Sequence, residues 1–241
     1  MAKVLVISDT QIPFQHKDYI PFLKAVAKKY KTDCVVHAGD EIDAHALGDF
    51  DHDPDGMSAG DELKAALKEL KNLYRAFPVV KSCRSNHTDR PLRLAFRHGL
   101  PRAFLKDYKE FLQAPEGWSW ADYWIIDGVR YEHGVGYSGQ LGALKAAKTN
   151  MRSTVIGHLH AFAGINYFAN SDIIAFGFNV GSLIDVKSYA FNYGKYYAQK
   201  PIIGCGVVLN GIPSFVPMLL NKRGRWIGTL PSRRRQWMTR K

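Results

Sequence analysis

Five polar blocks each end a short apolar run. They are Asp9-Thr10-Gln11, Gly39-Asp40-Glu41-Ile42-Asp43, Ser85-Asn86-His87, Glu132-His133-Gly134 and Gly157-His158-Leu159-His160. Carboxylate, amide and imidazole groups recur in them, and no thiolate does. Such oxygen and nitrogen donors suit Mn²⁺, Fe, Zn²⁺ or Mg²⁺ rather than a soft metal. A carboxylate such as Asp40 can bridge two ions. Two ions about 3.5–4 Å apart can clamp a phosphate and generate a nucleophile from water. Taken singly, Asp9 or Asp40 reads as readily as a turn residue or helix cap.

The elements that must carry these blocks are legible from apolar spacing. Residues 4–7, 34–38 and 79–83 read as buried strands. Residues 18–29 have helical spacing, and 61–76 are the clearest amphipathic helix, with Ser58 or Asp61 as its cap and Pro78 closing it. Strand, helix, strand, helix, strand predicts a layered α/β fold with a largely parallel sheet, whose strand ends line one crevice. After residue 120 the pattern turns β-rich. A hairpin is expected to turn at Asp127-Gly128, a short helix to cover 142–150, and further strands to cover 154–160, 173–185 and 204–219. This second half predicts a second sheet packed against the first, within one domain over 1–221.

In order along the chain, SDTQ, GDEID, SNHTD, EHG and GHLH resemble blocks of the calcineurin-like metallophosphoesterase family, phage-encoded members included. That family carries D-x-H, G-D-x-x-D, G-N-H-D/E, a later H and G-H-x-H. The match spans positions 9 to 160, about two-thirds of the chain. The resemblance implies an α/β sandwich of two mixed β-sheets flanked by helices. It also implies hydrolysis of a phosphate ester with two divalent metal ions, Mn²⁺ being the first choice and Fe, Zn²⁺ or Mg²⁺ the alternatives. Asp9, Gln11, Asp40 and His160 would surround the first ion. Asp40, Asn86, His133 and His158 would surround the second, with Asp40 bridging. His87 would be the catalytic histidine, with Asp89 orienting it, and a metal-bound hydroxide would attack phosphorus in line. Two departures stand out. Gln11 replaces the family's histidine, which implies a weaker first site biased toward harder ions. Thr88 separates His87 from Asp89, and Ser85 replaces a glycine.

Around the blocks, Arg84 and Arg90 are candidates to hold a substrate phosphate. Arg93 and Arg97, spaced i and i+4, read as a solvated helix face. His37 reads as a core histidine, and His16, His45, His52 and His98 as structural or exposed. The WSWADYW run at 118–124 suits aromatic packing, or a stacking surface for a base. Residues 51–62, DHDPDGMSAGDE, fit a calcium-loop pattern ending in Glu62, with an acidic loop before a capped helix as the plainer reading.

The net charge of +11 belongs mostly to the end of the chain: residues 222–241 hold eight Lys or Arg and no acid. With two tryptophans among those residues, this basic tail suits nucleic acid as well as it suits a solubilising end. That tips the expected reaction toward a phosphodiester in nucleic acid or a nucleotide. The alternatives are a phosphomonoesterase, acting on protein or a small molecule, and a scaffold or nucleic-acid-binding protein with a degraded metal site. No apolar run reaches membrane-spanning length, and the first residues lack the pattern of a signal peptide. Three scattered cysteines fit a reducing cytoplasm.

Overall fold

Valines and isoleucines at alternate positions give the first strand two buried faces, as a strand inside a covered sheet requires. In the structure, a computed structural model that describes residues 1–49, 54–185, 187 and 199–231, this strand is β1 (Lys3–Ile7). Its Leu5 and Ile7 face a helix-side core, and its Val4 and Val6 face a second core between two sheets. The chain continues through α1 (Tyr19–Tyr30), β2 (Cys34–His37), α2 (Ala59–Ala76), β3 (Val80–Cys83), α3 (Arg90–Arg97) and α4 (Tyr108–Phe111). It then runs through β4 (Trp118–Ala121), β5 (Tyr123–Ile126), β6 (Val129–Glu132), α5 (Gly142–Thr149) and β7 (Thr154–Ile156). The last strands are β8 (Ala163–Ala169), β9 (Ile174–Val180), β10 (Gly204–Leu209) and β11 (Ile212–Pro217).

Two mixed sheets result. One has the order β11-β10-β1-β2-β3-β4, the other β5-β6-β7-β9-β8. Strands β1 to β4 run parallel, as the strand–helix alternation predicts. Phe22, Leu23, Leu70 and Leu73 of α1 and α2 cover the outer face of the first sheet. Ala143 and Ala146 of α5 pack on Ile156 at the outer face of the second. The expected α/β sandwich of two mixed sheets flanked by helices is the observed architecture. The hairpin turns at Asp127 and Gly128, both with positive φ (48° and 79°) as a tight two-residue turn demands. Ser58 is the cap of α2, its Oγ accepting from the Asp61 N–H.

The expected second sheet is not built from everything after residue 120. The β10–β11 hairpin returns to the first sheet, with β10 antiparallel to β1. β10 takes the edge of β1 that β2 leaves open, and Cys205, Val207 and Val216 reach the helix-side core from this hairpin. The chain also stays folded beyond residue 221. Trp226 packs edge-on against Phe22, and Arg225 pairs with Asp18 on the helix cap. The His16 ring bonds the Gly224 carbonyl at 2.9 Å. The rest of the basic tail, 232–241, lies outside the described residues. So do the first positions of the calcium-loop pattern; its last, Glu62, instead accepts the N–H groups of His45 (2.7 Å) and Ala46 (2.9 Å). The glutamate carboxylate is thereby committed to residues 45 and 46.

No helix among the described residues is long and apolar enough to cross a membrane. The three cysteines are free thiols.

Candidate metal centre

The loops after β1, β2, β3, β6 and β7 converge at one end of the sandwich. Four of the predicted site residues on them take left-handed backbone conformations rarely tolerated by side chains other than glycine. These are Asp9 (φ 50°), Gln11 (φ 44°), Asp40 (φ 58°) and His158 (φ 64°). Backbone strain of this kind persists only where the surroundings enforce it, and it gathers at functional sites. The enforcing contacts are explicit. Asp9 N–H donates to the Gly39 carbonyl at 3.0 Å and Gln11 N–H to the Asp40 carbonyl at 2.9 Å, locking the first loop to the second. Ser85 Oγ accepts the Asp40 N–H at 2.7 Å, which gives the unexpected serine a purpose. Two glycines allow the close approach. A Cβ on Gly39 would stand 2.8 Å from His133 Nδ1, and one on Gly157 would stand 1.8 Å from Ser8 Oγ and 2.4 Å from Asp9 Oδ2.

Two groups of donor atoms form there, each within 4.8 Å: Asp40, His133 and His158, and Asp9, Asp40 and His160. Asp40 belongs to both. Its carboxylate is fully buried; Oδ1 accepts the His87 N–H at 3.0 Å, whereas Oδ2 has no hydrogen-bond partner. A buried carboxylate oxygen that makes no hydrogen bond, only a 3.2 Å approach to His133 Nε2, is costly unless a cation meets it, so the donor set fits divalent metal ions. His133 is oriented for this role. Its Nδ1–H donates to the Ala38 carbonyl at 2.8 Å, leaving Nε2 to face Asn86 Oδ1 at 2.8 Å and Asp40 Oδ2 at 3.2 Å. His160 Nε2 lies 2.9 Å from Asp9 Oδ1, and the Gln11 amide stands 3.2 Å from the same nitrogen. Asp9 Oδ2 accepts the His158 N–H at 2.9 Å and is also bonded by Ser8 Oγ.

The electrostatics follow from this crowding. Burial alone would raise the Asp40 carboxyl, yet His133 and His87 hold it well below the ordinary carboxylate value. Asp9 is likewise lowered against burial, chiefly by His160. Burial works to lower the His133 imidazole, but Asp40 beside it pushes it up to about 9. His158 goes the other way, lowered by burial and by the neighbouring His133.

The structure corrects the expected surroundings of His87. Its Nδ1 lies 2.7 Å from Asp43 Oδ1, so Asp43, not Asp89, orients the ring. Thr88 is the reason. Its hydroxyl donates to the buried Glu41 carboxylate at 2.8 Å, and Asp89 is carried round to accept from the Tyr108 hydroxyl at 2.7 Å. Asp43 was in view within Gly39-Asp40-Glu41-Ile42-Asp43, but its spacing alone named no partner. Arg90 stands in the site, donating to Asp43 Oδ1 at 3.1 Å with its other terminal nitrogen 3.3 Å from His87 Nε2. Arg84 does not join it. Its guanidinium lies over the Tyr108 ring and 3.8 Å from Asp122. His37 is a core histidine, fully buried, with Nε2 3.2 Å from Thr10 Oγ1. The tryptophans of 118–124 are structural too. The Trp118, Trp120 and Trp124 indoles donate to Phe77 O, Glu41 Oε1 and Ser82 O.

Strand-end carboxylates and imidazoles around a shared aspartate, on a two-sheet sandwich, define a metal-dependent phosphoric ester hydrolase. The chain belongs to the calcineurin-like phosphoesterase family, whose sequence model matches residues 2–168. No curated protein matches the sequence significantly. Solved structures similar to it include the phosphoesterase YfcE from E. coli (14% identity, TM-score 0.44, covering 93% of this chain and 96% of that one). Vps29 from Chaetomium thermophilum is similar at 12% identity and TM-score 0.43, covering 96% and 95%. A metallophosphoesterase from Sphaerobacter thermophilus is similar at 15% identity and TM-score 0.39, covering 86% and 83%. None of these three likenesses carries an argument about substrate or partner.

Proposed function

We propose that this protein is a phosphodiesterase that works with two divalent cations sharing Asp40. The single observation that carries the reading is the membership of Asp40 in both donor groups, with one buried oxygen unpartnered. Asp9, Gln11, Asp40 and His160 would hold the first cation. Asp40, Asn86, His133 and His158 would hold the second. Mn²⁺ is the first choice, because oxygen donors and a neutral amide at Gln11 suit a hard ion. When bound, the pair supplies Lewis-acid activation of the phosphate and of the attacking water.

The chain's own residues do the rest. Burial acts to lower the His87 imidazole, but Asp40 and Asp43 raise it above its ordinary value. A histidine raised in this way can act as the acid that gives a proton to the leaving oxygen. Asp43 fixes the ring through Nδ1, so Nε2 is the nitrogen turned toward Arg90 and the substrate side. Arg90 offers positive charge beside that proton. Asp9 is held ionised by His160, and its Oδ2 anchors the backbone of His158.

A diester substrate is favoured by the arginines beside the centre and by the basic residues of 232–241, which together suit a polyanion. The test is turnover of bis-p-nitrophenyl phosphate against p-nitrophenyl phosphate with added Mn²⁺. The diester should be preferred; preference for the monoester would make the protein a phosphomonoesterase. A second reading, a scaffold with a degraded site, is favoured by the 3.2 Å contact that gives His160 an amide neighbour instead of an imidazole. That reading requires that neither ester be cleaved.

A further inference from the structure

A cavity of about 210 Å³ lies beside the metal centre, lined by Asn86, by Arg90, Arg93 and Arg97 of α3, and by Asp49. The three arginines fall at i, i+3 and i+7, one face of a helix. From first to last they span roughly 10 Å at about 1.5 Å per residue. Their surroundings differ. Arg97 is clamped by Asp49 through two hydrogen bonds of 2.7 and 2.8 Å. Arg90 is engaged with Asp43 and His87. Arg93 is exposed and makes no salt bridge among the described residues. Asp49 is the only acid lining the cavity among those residues, and it is engaged by Arg97, as Arg90 is by Asp43. The charge is felt there: Asp49 is lowered first by its hydrogen bond to Arg97 and then by the charges of Arg97, Arg93 and Arg90.

We propose that this cleft is a second anion subsite, in which Arg93 takes a phosphate of the substrate adjacent to the one being cleaved. The inference rests on the phosphodiesterase reading and deepens it. The ester at the metal centre needs only the groups already described there. A substrate with one phosphate leaves Arg93 unused, and a neighbouring phosphate meets it in the cavity that Asn86 also lines. Guanidinium groups on a rigid helix suit phosphate oxygens, which accept two parallel N–H donors. Arg97 also lines the cleft, its charge paired with Asp49. The chemical class of substrate is therefore a diester carrying a second phosphate, either along a nucleic-acid strand or on a free nucleotide.

The test uses the full chain with added Mn²⁺ and a matched pair of chromogenic diesters, thymidine 5′-(p-nitrophenyl phosphate) with and without a 3′-phosphate. In the unmodified protein the 3′-phosphate should lower KM about tenfold, the scale of one charge-assisted hydrogen bond. Arg93→Ala should remove that benefit while KM for the plain diester and kcat for both stay unchanged, and Arg93→Lys should retain part of it. The subsite is overturned if the 3′-phosphate gives no benefit in the unmodified protein, or if Arg93→Ala raises KM equally for both esters. Failure to cleave either ester would instead defeat the diesterase reading. The subsite is then judged by binding of a fluorescent oligothymidylate: a log–log salt slope shallower by about one in Arg93→Ala supports it, and an unchanged slope overturns it. Competition by oligothymidylates that strengthens with length assigns the second phosphate to a strand. Equal competition by thymidine diphosphate assigns it to a nucleotide.

Discussion

At the scale of single residues, the account turns on which acid stands behind His87. Asp43 contacts Nδ1 at 2.7 Å, while Asp89 is bonded to Tyr108. His87→Ala should lower kcat on bis-p-nitrophenyl phosphate by about 10²–10⁴-fold, the range for a lost general acid, with metal still bound. Asp43→Asn should lower kcat less and move the alkaline limb of the pH–rate profile to lower pH. The sign follows from the pair: His87 is raised by Asp40 and Asp43 against burial, so removing one carboxylate lets its proton leave earlier. Asp89→Asn should leave that limb where it is; a shift as large as that of Asp43→Asn would restore Asp89 to the role. Much of the site was legible in the sequence, because Asp9, Asp40, His133, His158 and His160 each follow an apolar run that had to be a strand or its end. Asp89 was misplaced for a local reason. One extra residue, Thr88, is drawn inward by Glu41, and no spacing rule reveals which of two neighbours a buried carboxylate captures. The structural use of Ser85 was hidden likewise, since it depends on where the Asp40 amide points.

At the scale of elements, the site depends on loops that touch backbone to side chain with no room for a Cβ. Gly157, between β7 and His158, is the tightest such point. Gly157→Ala should displace the Ser8 hydroxyl and the Asp9 carboxylate together, lowering stability by about 1–3 kcal/mol, as overpacking does. It should also weaken the first metal more than the second. A calorimetric Mn²⁺ titration and a thermal melt would read both, and an unaffected metal profile would show that the loop can relax. The glycine before the last histidine pair signalled a loop in the sequence, and the structure ends β7 at Ile156 with His158 at positive φ. Period-two reasoning therefore could not say how those two imidazoles diverge into different donor groups. The parallel strands and the helices α1 and α2 were readable from their periodicity because burial dictates it. The return of β10–β11 to the first sheet was not, since strand pairing is decided by a distant free edge.

At the scale of the whole molecule, charge and packing divide the end of the chain differently from the boundary at residue 221 that composition suggested. Residues up to Pro231 belong to the body: Trp226 is packed on Phe22, and Lys29 Nζ donates to the Pro231 carbonyl at 2.8 Å. Deleting 232–241, with five of the eight basic residues, should flatten the salt dependence of oligonucleotide binding. Deleting from 222 should also lower Tm, because Trp226 and Arg225 leave α1. An unchanged salt slope after the shorter deletion would remove nucleic acid from the role proposed for those residues. The most direct test of the central claim is a Mn²⁺ titration of the full chain, set beside Asp40→Ala and Gln11→His. Two ions sharing one carboxylate predict two bound per unmodified chain, loss of both together in Asp40→Ala, and a tighter first ion in Gln11→His. Saturation at a single ion, or an Asp40→Ala chain that still holds one tightly, would contradict it.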